Sequence, residues 1–277
     1  MSEALPTALP ELVMTSPRTP PLTMIRRVFA ARELVVILGR KNFFVQYRRA
    51  TIGVLWAVGL PLVQAVLFAV IFSRIARFPV PHYPVYVFSG MVVWSFFLGV
   101  LVPSATAIVD NSSLSSKVYF PRAVLPLSVC YGGLYSLAAG LLVLIVFALA
   151  LGTGLGLRIL LLVPAILLVT SLTAVLGLVL SVSHVYLRDT RYVVQAMSVI
   201  WLWITPVIYP ISLLHGWVRV VLDVNPLTGI VVLFHSAFIP GVGPLSLAWV
   251  SLAWVVALLP LAIWLHARYD RVVSDLL

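Results

Sequence analysis

Acidic side chains are scarce in this chain. Eight Asp and Glu stand among 277 residues, at positions 3, 11, 33, 110, 189, 223, 270 and 275, and none falls inside a long apolar run. A proton or sodium relay through a bilayer needs a carboxylate at membrane depth, so an ion-coupled transporter is disfavoured. Lysine is scarcer still: Lys41 and Lys117 are followed by Asn and Val, which excludes the GxxxxGK[ST] loop that cradles a nucleotide phosphate. Cys130 is the single cysteine, so no internal disulfide can form, and its apolar surroundings suit core packing. The histidines, at 82, 184, 215, 235 and 266, lack metal-ligand spacing, and no metal site is expected. Gly152, Gly154 and Gly156 read as a loop between two apolar runs.

What the chain has in abundance is apolar surface. Hydrophobic residues make up 62% and charged residues 9%, with a mean hydropathy of +1.13, against about 25% charge in ordinary soluble domains. This is the composition of an integral membrane protein. Uncharged intervals cover 50–73, 78–109, 123–157, 159–187, 192–218 and 224–267. Each exceeds the roughly 20 residues that a helix needs to cross hydrocarbon. Because unpaired backbone groups cannot face lipid, the fold class is all-α, with six transmembrane helices near 52–74, 84–108, 127–151, 160–184, 193–209 and 245–266. With the N-terminus in the cytoplasm, 14 of the 18 Lys and Arg lie on that side and only Arg74, Arg77, Arg158 and Arg219 lie outside. The positive-inside rule thus predicts a multi-pass protein with both termini cytoplasmic. The charge of +10 reads as topology plus contact with anionic lipid, and no nucleic-acid partner is expected.

The expected domains are a disordered, Pro-rich tail over 1–24, an amphipathic helix in the cytoplasmic interface over 25–50, and a transmembrane domain over 51–277. In the interface helix Arg26, Glu33 and Arg40, with Lys41 and Arg48, gather on one side; Phe29, Val36, Phe43 and Tyr47 gather on another, although Leu34, Ile37 and Phe44 fall near the charged side. A basic anchor ahead of the first span is the simpler alternative. No secretory signal is expected, since acids occupy positions 3 and 11 and no apolar core follows an early basic region.

Between the second and third apolar runs lies a polar, basic interruption, NSSLSSKVYFPRAVLP (111–126). Asn111, Ser112 or Ser113 can cap a short helix there, Pro121 can end it, and Tyr119 and Phe120 could plug a groove on a soluble partner. The alternative is an ordinary basic loop anchored by Lys117 and Arg122. Arg188 and Asp189, after the fourth run, fall on the same side. Between 206 and 244 the apolar chain is broken by Pro206, Pro210, Gly216, Pro226, Pro240, Gly241, Gly243 and Pro244. Short re-entrant helices before the last span fit best, packed against protein. Gly132, Ser136 and Gly140 form a small-residue ridge for close helix contact.

The order YRRATIGVLWAVGLPLVQ (47–64), SKVYFPRAVLPLS (116–128), LRDTRY (187–192), TPVIYP (205–210) and NPL (225–227) resembles the permease subunits of type-2 ABC exporters. The likeness is to the branch that exports lipid-linked cell-surface polysaccharides such as O-antigen, teichoic acid, capsule or galactan, and it covers roughly 25–270. The long Pro-rich tail is the departure. The resemblance implies a non-enzymatic half-transporter in the inner membrane of a bacterium. Two copies of this chain would work with two ATPase subunits, which alone use ATP and Mg, and no cofactor would bind this chain. The cargo would be a glycan on polyprenyl diphosphate. The coupling element would include Asn111, Ser113, Lys117, Val118, Tyr119, Phe120, Pro121 and Arg122, with Arg188 and Asp189 beside it. Sugar rings offer apolar faces to flat side chains, which makes Tyr86, Phe88, Trp94, Phe96, Phe97, Tyr131 and Tyr135 conduit candidates; packing or an interfacial aromatic belt explains them equally. Arg26, Arg27, Arg40, Arg48 and Arg49 are candidates to meet the lipid diphosphate. The rival expectations are a type-2 permease for a drug or free lipid, a membrane enzyme acting on polyprenyl carriers, for which the acids are too dispersed, and a structural scaffold.

Overall fold

The computed structural model describes residues 20–47, 53–74, 80–115, 117–118 and 120–269, and all regular structure among them is helical. Two helices, α1 (Pro21–Ala30) and α2 (Arg32–Tyr47), precede α3 (Trp56–Arg74), α4 (Tyr83–Asp110) and the single turn α5 (Ser112–Ser115). Then come α6 (Val124–Ala150), α7 (Leu162–Tyr186), α8 (Thr190–Ile204), α9 (Gly216–Val224), α10 (Pro226–Phe238) and α11 (Leu247–Tyr269). Among the described residues, α4, α6, α11 and the stretch Leu157–Tyr186 that includes α7 are long and apolar enough to cross a bilayer. The pair α9 and α10, bent by 87° across Asn225, has the composition of a fifth, broken crossing. The apolar stretch of α3, Val58–Phe72, is shorter. With 15 residues α8 reaches about 22 Å, short of the roughly 30 Å hydrocarbon core.

The bundle is built around α4. Its apolar residues run round the whole circumference, as suits a helix surrounded by other helices or by lipid. In its apolar window 78% of residues are buried, against 22% for α6, 33% for Leu157–Tyr186 and 17% for α11. The helices α3, α6, α7 and α10 pack on it, and α11 packs on α7 and α10.

Helix begins at Pro21, inside the stretch expected to be tail, because proline is pre-organised for a first helical position. Residues 1–19 lie outside the described residues. The leader is not one helix but two, separated at Ala31; α1 lies against α11 and α2 against α6. The face that α2 turns toward the bundle includes Phe43 of the expected apolar side. Phe29 and Val36 are exposed, whereas Leu34, Val35, Leu38, Gly39 and Phe43 turn inward. The cause is a backbone-to-backbone crossing of two glycines: a Cβ on Gly39 would lie 2.6 Å from Ser128 O, and one on Gly132 would lie 2.7 Å from Gly39 O. Close approach of small residues, rather than the largest apolar side chains, sets the docking face. The ridge on α6 continues to Gly140, where a Cβ would meet Val92 of α4 at 3.3 Å.

Candidate functional site

The segment after α4 turns one side inward and the other outward. Thr106 Oγ1 donates to Asp110 Oδ2 at 2.6 Å, and Asn111 Nδ2 donates back to Ala107 O at 2.8 Å. Asn111 thus satisfies the end of α4 with its side chain, while its carbonyl accepts from Leu114 N at 3.1 Å to start α5. Asn111 was one of three candidates, with Ser112 and Ser113, to cap the next helix; its Nδ2 is engaged at the end of α4. Lys117 N and Val118 N both donate to Leu114 O at 3.2 Å, which closes the turn.

Phe120 is 7% exposed and sits in its own chain among Ala107, Ile108, Val124 and Leu125, with Leu34, Val35 and Leu38 of α2 against the same cluster. Its ring anchors the segment to α4, α6 and α2 rather than projecting from it. Pro121 is buried, its carbonyl accepting from Val124 N at 3.0 Å as α6 begins, and Arg122 is buried too. Ser113, Lys117 and Val118 are exposed, as are Arg188 and Asp189 at the start of α8. Tyr119 lies outside the described residues. Among the leader arginines Arg26, Arg27 and Arg40 are exposed, while Arg48 and Arg49 lie outside the described residues.

At the other end of α4 the broken stretch 205–210 is held by side chains. Tyr83 Oη donates to Ile208 O at 2.8 Å and Tyr86 Oη to Tyr209 O at 2.9 Å. His235 Nε2 lies 3.2 Å from Pro206 O, an acceptor only, so that nitrogen carries the proton; Nδ1 lies 2.8 Å from Ser89 Oγ. The imidazole also stacks on the Tyr86 ring, with centroids 3.7 Å apart. A Cβ on Gly90 would lie 2.8 Å from Val207 O, so only glycine allows the stretch to come this close to α4. Asn225 then ties α8 to α10: Nδ2 donates to Ile204 O at 3.2 Å and Thr205 Oγ1 at 2.9 Å, and Oδ1 accepts from Trp201 Nε1 at 3.0 Å and Leu227 N at 3.1 Å. The last bond, with Pro226 in the first turn, starts α10 as an N-cap should. Non-helical backbone in this apolar stretch is thereby supplied with donors from protein, which a bilayer would not provide. Nothing in their spacing marked Ser89 and His235 for this part; only the proline-rich break signalled that such donors were needed.

The aromatic candidates separate by environment. Tyr86, Phe88, Trp94, Phe96 and Phe97 are buried within the protomer, where Phe88 meets Phe147 and Phe97 meets Trp201 edge to face. Tyr131 and Tyr135 are half-buried, with Tyr135 against Phe43 of α2 at 5.1 Å. Of the seven, Phe96 alone lines a groove of about 440 Å³ bounded by α2, α3, α4 and α6.

A chain with several helices long and apolar enough to cross a bilayer, packed around one largely buried helix, is a multi-pass membrane protein. Residues 33–239 match the ABC-2 type transporter family, and the chain belongs to it. It is similar to the O-antigen export system permease protein RfbA of Myxococcus xanthus, 27% identical over 245 residues that cover 85% of this chain and 94% of that one. The RfbA permease of Klebsiella pneumoniae is 25% identical over 243 residues, 86% of this chain and 93% of that one. A second Klebsiella pneumoniae RfbA is 25% identical over 211 residues, 76% and 81% of the two chains.

Proposed function

We propose that this chain is the membrane half of an exporter that moves a cell-surface polysaccharide across the inner membrane of a bacterium, the glycan travelling on polyprenyl diphosphate. O-antigen is the first choice, with teichoic acid, capsule and galactan as related cargoes. The observation that carries the reading is end-to-end similarity to relatives named as O-antigen export permeases, over 85–86% of this chain and 93–94% of theirs.

In this reading the six spans are α3, α4, α6, α7, α11 and the stretch 193–209 built on α8; α9 and α10 form a re-entrant pair at the outer side, and both termini are cytoplasmic. The leader helices lie in the inner interface, where Arg26, Arg27, Arg40, Arg48 and Arg49 meet anionic lipid and the carrier's diphosphate. Two copies of the chain stand on two ATPase subunits, which bind ATP and Mg. Closure of those subunits presses on Ser113, Lys117, Val118 and Tyr119, with Arg188 and Asp189 beside them. Phe120, seated against α2, α4 and α6, passes the displacement to all three. The copies part at their seam, and the sugar advances. Tyr131 and Tyr135 keep surface to offer a sugar face, while Tyr86, Phe88, Trp94 and Phe97 back the wall from inside.

The test is ATP-driven glycan export in vesicles that hold this chain and the ATPase encoded beside it, with Val118→Asp as the perturbation. Val118 is 56% exposed, so the change leaves the fold alone and places a charge where the partner docks. Loss of export with normal insertion is expected. Undiminished export by the variant would remove the coupling assignment, and failure of wild type to move any polyprenyl-linked glycan would remove the cargo.

A further inference from the structure

The groove between α2, α3, α4 and α6 is used by nothing described so far, and its chemistry changes along its length. On α4 it runs from Val92 to Asn111, about 28 Å of helix, close to the roughly 30 Å of a hydrocarbon core. Its inner stretch is walled by glycine and apolar side chains, among them Gly99, Val100, Gly133, Leu137 and Gly140, with only the hydroxyls of Ser95 and Ser136 for polar company. Its other end, where α4 stops and the basic leader begins, collects Asn42 and Gln46 of α2 with Asp110 and Asn111 of α4. A slot that is apolar along most of its length and polar at one end has the profile of an amphiphile. Its volume of about 440 Å³ lies within the roughly 300–1,000 Å³ of pockets that enclose small ligands.

The polar end selects the head group. Asp110 is exposed, lines the groove and has Oδ2 held by Thr106, so its carboxylate is fixed at the mouth. At Asp110 itself an ammonium or hydroxyl donor is favoured over an anion, beside a carboxylate and three amides. We propose that this groove is a lipid site within one protomer, with one hydrocarbon chain along α4 and α6 and the ammonium of an aminophospholipid such as phosphatidylethanolamine at Asp110. A chain lying there touches α2, α3, α4 and α6 together and ends beside Asn111, the residue that joins α4 to α5. The lipid is therefore a strut between the spans and the segment that follows them. This assignment does not depend on what the protein exports.

Gly99 provides the test, because a Cβ there meets nothing within 4 Å. Gly99→Leu fills the groove without a clash and raises helix propensity; Gly59→Leu, on α3 outside the groove and with Trp56 3.9 Å from a Cβ, is the matched control. The full chain is purified from vesicles of equal phosphatidylethanolamine and phosphatidylglycerol, and retained lipid is weighed by native mass spectrometry. Wild type and Gly59→Leu are expected to hold phosphatidylethanolamine. Gly99→Leu should hold it about tenfold more weakly, the equivalent of about two buried CH₂ groups. Asp110→Asn should keep a lipid but lose about three- to fivefold of the preference for the ammonium head, as for an exposed ion pair. Equal retention by Gly99→Leu and wild type overturns the site. Unchanged preference in Asp110→Asn, or displacement of the lipid by added undecaprenyl diphosphate, overturns the head-group assignment. Independently of any variant, phosphatidylethanolamine with a photoreactive chain should crosslink wild type at 95–103 and 132–140; crosslinks confined to other helices overturn the proposal.

Discussion

Replacing Asn225 by alanine should be among the most damaging single changes in the protein, and its cost can be assembled bond by bond. The side chain is buried and makes four hydrogen bonds, two donated to Ile204 O and Thr205 Oγ1 and two accepted from Trp201 Nε1 and Leu227 N. Hydrogen bonds between helices in a membrane are worth about 0.6 kcal/mol, up to about 1.7. An N-cap adds about 1 kcal/mol, and each donor left buried without an acceptor costs about 1–3 kcal/mol. Counting the two donated bonds at the lower figure and the orphaned Trp201 and Leu227 N–H groups, the latter already including the N-cap bond, the total is about 3–7 kcal/mol. For a chain of this size that lowers the midpoint of thermal unfolding by about 10 °C. The assay is unfolding of the purified full chain in a mild detergent, followed by tryptophan fluorescence. Trp201→Phe removes only one of the four bonds and should cost about 1 kcal/mol. In the double variant that bond is already gone, so the two costs should sum to less than their separate values. A midpoint for Asn225→Ala within about 2 °C of wild type, or strict additivity with Trp201→Phe, would refute the account of 205–227 as a stretch held by this one side chain.

Other substitutions probe the remaining contacts. Gly39→Val forces a side chain into the 2.6 Å approach to Ser128 O and should cost about 1–3 kcal/mol while prising α2 from α6; a thiol reagent should then react faster with a cysteine placed at Phe43. Phe120→Ala empties a buried ring site and should cost about 3–5 kcal/mol, whereas Val118→Asp, on the exposed side of the same segment, should change stability by less than about 0.5 kcal/mol. Denaturation of the two variants side by side separates anchoring from docking. His235→Phe keeps the ring that stacks on Tyr86 but removes the donor to Pro206 O, and a loss of about 1–3 kcal/mol is expected in the same unfolding assay.

Apolar runs made the long helices legible, because a bilayer leaves the backbone few options: α4, α6, α7 and α11 lie within a few residues of the stretches read from hydropathy alone. The broken character of 205–244 was legible for the same reason, through its prolines and glycines. Which face of a helix packs was much less so. On α2 the heptad pattern grouped Val36 and Phe43 for the acyl boundary, yet the position of closest approach to α6 is Gly39, whose contribution is the absence of a side chain. On α4 the run of aromatic residues suited a conduit lining and core packing equally, since a helix apolar on all sides offers no periodicity from which to tell the two apart. Phe120 posed the same ambiguity in a polar loop, since an aromatic ring suits a partner's groove and its own chain's interior equally well. The donors to 204–209 come from positions as far apart as 83 and 235, and no local pattern announces a hydrogen bond across such a separation.

That separation carries a consequence for how the protein is made. The carbonyl of Pro206 leaves the ribosome well before the imidazole of His235 that satisfies it, and Ile204 before the amide of Asn225. Until those later residues arrive, the break between α8 and α9 has no place to rest in hydrocarbon. The carboxyl-terminal third must therefore enter the bilayer as one cooperative unit, against an α4 already in position to offer Tyr83 and Tyr86. A chain cut short after α9 would carry the break without Asn225 or His235 and be unable to settle.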